Sequence, residues 1–327
     1  MHAAPPASTP ATEVLIDVAG LQVRYGQRWA LQDLNFSVRG GEIVGLLGPN
    51  GAGKTTTLSV LATLLRPQAG TVTIAGHSVT VAPAQVRHML GVVPQSLALY
   101  PTFTAHENAI LFAQLAGLRG QAARDAAATV LRLVGLDERA DDLVGTFSGG
   151  MQRRLNLACG ILHTPRILLL DEPTVGVDPQ SRERIIDAVR GQAARGAAVL
   201  YSTHYLEEAE RVCDRVVLID EGHLVTQGTP EELIRQAGGA VRLEVVTRTE
   251  LPADWCKDLG GVRVTATSTA FAVSRGAAVQ VELSDLRTAS RVLDRAAASG
   301  GGVLEFHVHQ PGLQDVFIAL TGRDLRD

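Results

Sequence analysis

The sequence predicts an α/β protein with buried parallel strands, followed by a small α+β domain. Three short aliphatic runs, residues 43–47, 167–170 and 197–202, are typical of strands buried in a parallel sheet. A glycine-rich loop and a helical pattern follow the first run, as an α/β fold requires. Beyond Gly238 and Gly239 the pattern changes to alternating segments, and this change marks a second domain.

The length and composition fit two domains preceded by a tail. The chain has 327 residues, of which 46% are hydrophobic, so it can bury substantial cores. Residues 1–12 are rich in Ala, Pro, Ser and Thr, lack the regions of a signal peptide, and are expected to be disordered. We expect the first domain over residues 13–237 and the second over residues 240–327.

Charge, cysteine content and hydropathy exclude several classes of protein. The net charge is −4 and no basic tract is present, so nucleic acid is not an expected partner. The 3 cysteines are too far apart for a Cys-x-x-Cys site, and this sparse, odd set favours reduced thiols in a cytosol. Because no window approaches 18 uninterrupted apolar residues, a role at a membrane has to come through a partner.

Hydrophobic periodicity predicts the remaining elements of both domains. In the first domain we expect strands over 14–23, 29–38, 71–75, 90–93, 215–220 and 224–226, and helices over 104–118, 121–134 and 230–236. The helix over 121–134 carries alanine on most faces and is expected to be buried between neighbouring elements. In the second domain we expect strands over 241–247, 262–266, 270–274, 278–283 and 303–309, and helices over 284–298 and 313–320. Ser284 is the expected cap of the first of these helices.

The glycine-rich loop fits the pattern G-x-x-x-x-G-K-[ST], which cradles phosphate. It consists of Gly48, Pro49, Asn50, Gly51, Ala52, Gly53, Lys54 and Thr55, and a helix is expected from Thr55 to Leu65. Glycines let bare N–H groups approach a phosphate, and the helix start adds partial positive charge there. Lys54 is expected to bridge two phosphates and Thr55 to bind Mg²⁺. The alternative is a glycine-rich turn without a ligand.

Lysine is rare in this chain, which gives Lys54 additional weight. Of the 30 basic residues only Lys54 and Lys257 are lysines, and the others are arginines. A lysine at position 54 is therefore poorly explained by the overall composition of the chain. A compact ammonium fits between phosphates where a planar guanidinium does not.

Two adjacent carboxylates, Asp171 and Glu172, follow the second aliphatic run. Placing two acids at the end of a buried strand is costly unless a cation is near. One acid can hold Mg²⁺ through water, and the other can polarise or orient an attacking water. The alternative is a pair of structural acids.

Polar residues also stand after other expected strands. Open α/β sheets bind ligands at the carboxyl ends of their strands, so Gln95 can meet a metal or water there, and His204 can take part in catalysis. The alternative for Gln95 is a solvated loop residue. Taken singly, His204 is better explained as a structural histidine, but its position at another strand end favours the catalytic role. Tyr25, at a strand end, can stack on an adenine ring or simply pack there.

A second possible anion-binding helix start lies after Phe147. Ser148 is a natural N-cap, and Gly149 and Gly150 leave the first N–H groups of the helix over 151–162 accessible. A plain helix cap is the alternative. In the second domain, His307 and His309 share one strand face, where a solvated face is expected in preference to a metal site.

The order of these motifs is more specific than any one of them, and residues 13–237 resemble the ATP-binding-cassette family. The resemblance implies a P-loop NTPase cassette with a mixed sheet core, an antiparallel β subdomain and a helical subdomain, which binds ATP and Mg²⁺. Residues 48–55 match its Walker A loop, Thr56 a further phosphate contact, and Tyr25 its adenine-stacking residue.

The same resemblance assigns the other residues. Gln95 is expected to touch Mg²⁺ or water and to sense a membrane subunit, Asp171 to bind Mg²⁺, and Glu172 to be the catalytic glutamate. Ser148, Gly149 and Gly150 match the signature motif, which contacts the γ-phosphate across a dimer; Phe147 and Met151 depart from its usual Leu and Gln. Asp178 matches the D-loop and His204 the switch histidine.

Two further segments, residues 153–158 and 313–323, resemble the drug- and lipid-exporting branch of the daunorubicin-resistance type. This resemblance implies a separate membrane permease, a second copy of the ATPase, and a location at the cytoplasmic face of the membrane. One alternative is a soluble cassette ATPase acting on a ribosome or DNA, although such proteins usually carry two cassettes or a long coiled coil. The other is a module that binds ATP without hydrolysing it.

Overall fold

The computed structural model describes residues 13–238, 240–252, 254–268 and 277–322, which form two compact units divided between Pro230 and Glu231. The expected tail over 1–12 and the expected strand over 270–274 lie outside the described residues. The domain boundary expected from the sequence, between 237 and 240, stays a prediction.

The first unit alternates strands and helices along the chain. Its strands are β1 Val14–Tyr25, β2 Arg28–Arg39, β3 Ile43–Leu47, β4 Ala69–Ile74, β5 His77–Ser78, β6 Leu90–Val93, β7 Ile167–Asp171, β8 Ala198–Thr203, β9 Arg215–Asp220 and β10 His223–Gly228. Its helices are α1 Lys54–Leu61, α2 Pro83–Met89, α3 Ala105–Leu115, α4 Gly120–Leu133, α5 Gly149–Ile161, α6 Pro179–Ala194 and α7 Leu206–Val212, and α8 Pro230–Gln236 spans the division.

A mixed sheet forms the centre of this unit, in the order β10-β9-β3-β8-β7-β6. The strands from β9 to β6 are parallel, and β10 pairs antiparallel with β9. Every residue of β3 and β7 is buried, as their unbroken aliphatic runs predict. The parallel order brings the carboxyl ends of β3, β6, β7 and β8 to one edge, where the glycine-rich loop begins.

A second, antiparallel sheet of order β2-β1-β4-β5 shares its core with the mixed sheet. Leu21, Leu34 and Ile74 come from the antiparallel sheet and are fully buried, as are Leu46 and Leu200 from the mixed sheet. The long register of β1 against β2 places alternate side chains inward, which explains the apolar/polar alternation of both segments.

Helices α3, α4 and α5 form a helical region between β6 and β7. Thr104 and Glu107 make a capping box that fixes the start of α3. The expected burial of α4 between neighbours holds for one face only: Ala123, Ala127, Val130 and Leu131 are its buried residues, and they share that face. Alanine is tolerated on the solvent face because it has the highest helix propensity.

The second unit is a four-stranded antiparallel sheet with two helices. Its elements are β11 Val241–Thr247, β12 Val262–Ser268, β13 Ala277–Leu283, α9 Thr288–Ala298, β14 Val303–His309 and α10 Leu313–Thr321. The strand order is β12-β13-β11-β14, and α9 packs Val292 and Ala296 into a core with Leu243 and Val281. This arrangement confirms the expected α+β class.

One expected boundary in the second unit is wrong. Ser284 does not cap a helix, because α9 begins four residues later at Thr288 and has no side-chain cap. A turn intervenes, in which Asp285 accepts a hydrogen bond from the Arg287 N–H at 2.6 Å and from the Thr288 N–H through its carbonyl at 3.0 Å.

No helix in the described part of the chain combines the length and the hydropathy that crossing a bilayer requires. Cys159, Cys213 and Cys256 are free thiols, and all three are buried. The side chains of His307 and His309 are exposed, beside Glu305 and Asp315 respectively.

Candidate functional site

The glycine-rich loop turns tightly between β3 and α1. Gly51 and Gly53 have φ values of 83° and 110°, in the left-handed region that favours glycine. A Cβ at Gly53 would lie 2.8 Å from the carbonyl oxygen of Ala30, so this residue also allows the loop to pack against β2. The backbone N–H groups at the start of α1 therefore lie at an edge of the sheet that side chains leave open.

Lys54, the first residue of α1, reaches back beneath this loop. Its Nζ donates hydrogen bonds to the carbonyl oxygens of Gly48, at 2.7 Å, and Pro49, at 3.1 Å, and lies 3.5 Å from Glu172 Oε1. Burial lowers the pKa of Lys54, while the carboxylates of Glu172 and Asp171 act in the opposite direction. The loop thus holds a buried cation beside a carboxylate, where an anionic ligand can bind.

Glu172 is the point at which the predicted catalytic residues meet. Its Oε2 accepts a hydrogen bond from the Gln95 side-chain amide at 3.0 Å, and its Oε1 lies 3.0 Å from His204 Nδ1. Glu172 has a φ of 47°, an uncommon backbone conformation for a residue with a side chain, which typically costs about 1–3 kcal/mol. Three sequence-predicted residues on three different loops therefore lie in direct contact.

Asp171 lies behind Glu172 at the end of β7. Its Oδ1 accepts a hydrogen bond from the Ser202 hydroxyl at 2.7 Å, and the same hydroxyl accepts one from the Glu172 N–H at 3.0 Å. Ser202 therefore fixes both acids, although no role was predicted for it. The feature that distinguishes Ser202 is that it is a polar residue, fully buried, in a strand otherwise dominated by aliphatic residues.

A cavity of about 500 Å³ opens above the loop and is lined by half of the residues predicted for the site. Its lining residues are Tyr25, Arg28, Trp29, Ala30, Asn50, Gly51, Gly53, Lys54, Thr55, Thr56, Gln95 and Glu172. The Tyr25 side chain is 55% exposed, so its ring is free to stack on a flat ligand. Arg28 and Trp29 were not predicted; they come to the cavity because β2 starts beside the end of β1.

The other predicted residues do not line this cavity. Pro49 and Ala52 line a neighbouring cavity, together with Asp220 and Glu221. Gly48 packs against the carbonyl oxygen of Ile219, where a Cβ would clash. Gly48 therefore allows the loop to approach β9, and no ligand contact is needed to explain it.

Ser148, Gly149, Gly150 and Asp178 form a separate cluster where two helices begin. Ser148 caps α5 as predicted and accepts a hydrogen bond from the Met151 N–H at 3.3 Å. Asp178 caps α6 through the Ser181 N–H at 2.9 Å, and this hydrogen bond lowers the pKa of its carboxyl group. A Cβ on Gly150 would lie 2.5 Å from Asp178 Oδ2, so the two helix starts touch.

Two buried asparagines fasten the loop that carries Gln95. Asn156 on α5 accepts from the Ala98 N–H at 3.2 Å and donates to the Pro94 carbonyl at 3.3 Å. Asn108 on α3 accepts from the Tyr100 N–H at 2.9 Å and donates to the Tyr100 and Thr104 carbonyls, both at 3.0 Å. Neither residue was predicted, although a buried polar residue on a helix of an α/β protein is itself a signal.

The residues at this edge fit a magnesium nucleotide. The loop and Lys54 suit a polyphosphate, and Thr55, Gln95 and Asp171 offer the oxygen donors that Mg²⁺ prefers. Within the described residues no group of three or more His, Cys, Asp and Glu residues is placed to hold a metal ion. Mg²⁺ usually takes part of its coordination from substrate phosphate oxygens, which suits a site with few carboxylates.

Comparisons with known proteins agree with this chemistry. The family profile described as "ABC transporter" matches residues 31–175, and the profile described as "ATP-binding protein DrrA1-3-like, C-terminal domain" matches residues 228–321. A solved structure titled "Structure of ATP binding subunit of ABC transporter" has a TM-score of 0.63 at 33% identity, over 68% of this chain and 93% of that one. A dimeric ATP-binding cassette in a post-hydrolysis state with ADP and Pi has a TM-score of 0.60 at 25% identity, over 66% and 98%.

Curated relatives match almost the whole chain. The linearmycin resistance ATP-binding protein LnrL of Bacillus subtilis (strain 168) is 38% identical over 96% of this chain and 100% of its own length. The Nod factor export ATP-binding protein I of Burkholderia orbicola (strain AU 1054) is 40% identical, over 95% and 98%. The daunorubicin/doxorubicin resistance ATP-binding protein DrrA of Streptomyces peucetius is 38% identical, over 95% and 94%. The chain belongs to the ABC transporter family, as an ATP-binding and ATP-hydrolysing member.

Proposed function

We propose that this chain is the ATPase subunit of an export transporter and drives a separate integral-membrane permease. The names of the relatives support export, because they describe resistance to linearmycin and daunorubicin and the export of Nod factor. The match of the second unit to the DrrA-like C-terminal profile supports the same branch. Through the permease, the subunit would lie at the cytoplasmic face of the membrane.

The contacts of Glu172 carry the proposed chemistry. Its carboxylate is fixed by Gln95 and His204 and faces the cavity above the loop, so it can accept a proton from a water or orient it towards the γ-phosphate. Lys54 would neutralise the phosphates, and Tyr25 would stack on the adenine. Mg²⁺, held by Thr55, Asp171 and Gln95, would supply charge neutralisation at the phosphates.

A second copy of the chain would complete each site. Ser148, Gly149 and Gly150 lie apart from the residues that line the cavity of their own chain, and nothing within 4 Å fills the space beside Gly149. The open helix start fits a γ-phosphate presented by another cassette. The dimeric cassette among the structural neighbours supports this arrangement.

The permease would dock on the loop that follows Gln95. Leu97, Tyr100 and Phe103 are between 39% and 49% exposed, and the rings of Tyr100 and Phe103 stack 5.4 Å apart. Exposed apolar side chains on a loop tied to the catalytic glutamate suit a helix of a membrane partner. The second unit, residues 231–322, would act as an accessory domain that supports the dimer.

The test is co-purification with a membrane protein encoded next to this chain. We expect the pair to be extracted together from membranes, and Phe103→Asp to abolish the association while ATP binding is kept. Val81→Asp, at an 84% exposed position in the same unit, is the matched control and should bind the permease normally. A chain that hydrolyses ATP but never enters the membrane fraction with any neighbouring gene product would refute the proposal.

A further inference from the structure

An apolar row continues the core of the second unit past the edge of its sheet. β14 pairs with β11 and is the edge strand of the sheet as the described residues form it. Val308 and Phe306 pair with Leu243 and Val245, so they point to the same face as these two buried residues. Yet Val308 and Phe306 are 39% and 51% exposed, and Leu304 is 45% exposed.

The sequence of this edge is complementary to itself. It reads Leu304-Glu305-Phe306-His307-Val308. When two such strands pair antiparallel about Phe306, each Leu304 lies opposite a Val308, the two Phe306 rings meet, and each Glu305 lies opposite a His307. A parallel pair in register would instead set Glu305 opposite Glu305, which is unfavourable.

We propose that β14 pairs with β14 of a second copy of this chain, antiparallel and centred on Phe306, so that two sheets join into one. A second copy is favoured over another protein because the segment 304–308 contains both the apolar and the charged residues that pair with one another. This contact is additional to the closure of two cassettes over nucleotide and involves none of the residues of that site.

The charges around this edge support pairing and do not block it. His307 Nε2 lies 3.1 Å from Glu305 Oε1 of its own strand, and Glu244 is the cross-strand neighbour of His307. Exposed charges often protect a sheet edge from pairing. Here the acid and the base stand two residues apart on either side of Phe306, so antiparallel pairing brings opposite charges together.

The size of the contact indicates how it works. A stable interface usually buries about 800 Å² per partner, which is more than five residues of one strand supply. The β14 pair would therefore form when a second contact, such as the cassette dimer, raises the effective concentration of the two strands. The second unit would then strengthen a dimer that the first unit starts.

Cysteine cross-linking of the full-length chain tests the register. Phe306→Cys should give a covalent dimer with a mild oxidant or a short bis-maleimide, because the two thiols would face each other. Cys159, Cys213 and Cys256 are buried, and burial raises the pKa of each thiol, that of Cys159 to about 12, so their background reactivity should be small. Leu320→Cys, at a 52% exposed position on α10, is the control for random collision.

The proposed register of the β14 pair also predicts how cysteines at Leu304 and Val308 should cross-link. Leu304→Cys and Val308→Cys should each cross-link poorly alone, and the two variants mixed should cross-link at least fivefold better. Equal yields from Phe306→Cys and Leu320→Cys, or from the single and mixed variants, would overturn the proposal. Because ATP turnover is measured in the same samples, failure of this contact can be told from failure of the nucleotide site.

A charge exchange provides the second test. In the Phe306→Cys background, Glu305→Lys should lower the cross-linking yield severalfold, since the introduced ammonium group would face His307 of the other copy. Glu305→Lys combined with His307→Glu restores the opposite charges and should restore the yield. If the exchange leaves the yield as low as Glu305→Lys alone, while ATP turnover is normal, the two strands do not pair in this register.

Discussion

Asn108 and Asn156 stand on two different helices, and each fastens one half of the loop between β6 and α3, which carries Gln95. Asn156 holds Pro94 and Ala98, and Asn108 holds Tyr100 and Thr104. Arg153 on α5 adds a hydrogen bond to the Gln95 carbonyl. The loop that contacts Glu172 is therefore hydrogen-bonded to α5, the helix that Ser148 caps. A movement of α5 should change the position of Gln95 and, through it, of Glu172.

Replacing Asn156 by Ala should loosen this loop. The Ala98 N–H and the Pro94 carbonyl would lose their partner, at a cost of about 1–3 kcal/mol in the free energy of unfolding. We expect kcat for ATP hydrolysis to fall more than KM rises, because Gln95 would no longer hold Glu172 while Lys54 remains. Faster hydrogen exchange at the Ala98 amide would report the loosened loop directly.

Asn35→Ala is the matched control for this variant. Asn35 also accepts a hydrogen bond from a backbone N–H, that of Gly20 at 2.7 Å, but it lies in the antiparallel sheet. The Asn35→Ala variant should lower the free energy of unfolding without changing kcat. If both variants lower kcat equally, the effect of Asn156 is one of general stability and the positioning role is wrong.

Lys54→Ala should abolish productive nucleotide binding. The ammonium is expected to make charge-assisted contacts to two phosphates, each contributing about 1.5–3 kcal/mol, so the Kd for ATP should rise at least about a hundredfold. Isothermal titration measures this change. Lys257→Ala removes the other lysine of the chain, in the second unit, and should bind ATP normally. Unchanged affinity in Lys54→Ala would contradict the phosphate-binding role of the loop.

Glu172→Gln should bind ATP and fail to hydrolyse it. The amide keeps the size of the side chain but cannot accept the proton of an attacking water. An ATP-bound dimer should therefore accumulate, and size-exclusion chromatography with Mg²⁺ and ATP should resolve it. Glu207→Gln, an exposed acid on α7, should behave as the unaltered chain. A monomer with undiminished turnover would show that Glu172 is not the catalytic acid.

Two adjacent glycines should respond differently to alanine. A Cβ on Gly150 would meet Asp178 and Ser181, so Gly150→Ala should lower the free energy of unfolding of the single chain by about 1–3 kcal/mol. A Cβ on Gly149 meets nothing within 4 Å, so Gly149→Ala should leave stability nearly unchanged.

ATP turnover of Gly149→Ala and Gly150→Ala distinguishes a plain helix cap at Ser148 from a binding site for the nucleotide of a second copy. If a second copy closes over Gly149, both variants should lose turnover and ATP-dependent dimer formation. Normal turnover in Gly149→Ala would instead support a plain helix cap at Ser148. Thermal unfolding and ATPase assays on both variants give the comparison.

Much of the fold follows from local sequence. The aliphatic runs of β3 and β7, the alternation of β1 and β2, and the helix starts at Ser148 and Pro179 each carry enough local preference to fix an element. The misplaced start of α9 shows the limit of such signals. Ser284 has the right propensity, but the turn at Asp285 competes for the same backbone groups.

Local sequence is enough to identify the glycine-rich loop, the two acids at a strand end and the second helix start, because each is a contiguous motif. The contacts of Lys54, Gln95 and His204 with Glu172 cannot be read from local sequence, since they depend on the parallel strand order that brings distant loops to one edge. The same is true of Ser202, Asn108 and Asn156, whose hydrogen bonds hold the residues around Glu172 in place. A lone serine or asparagine in an expected strand or helix is only a weak local signal, because its role depends on which backbone groups the fold leaves without a partner.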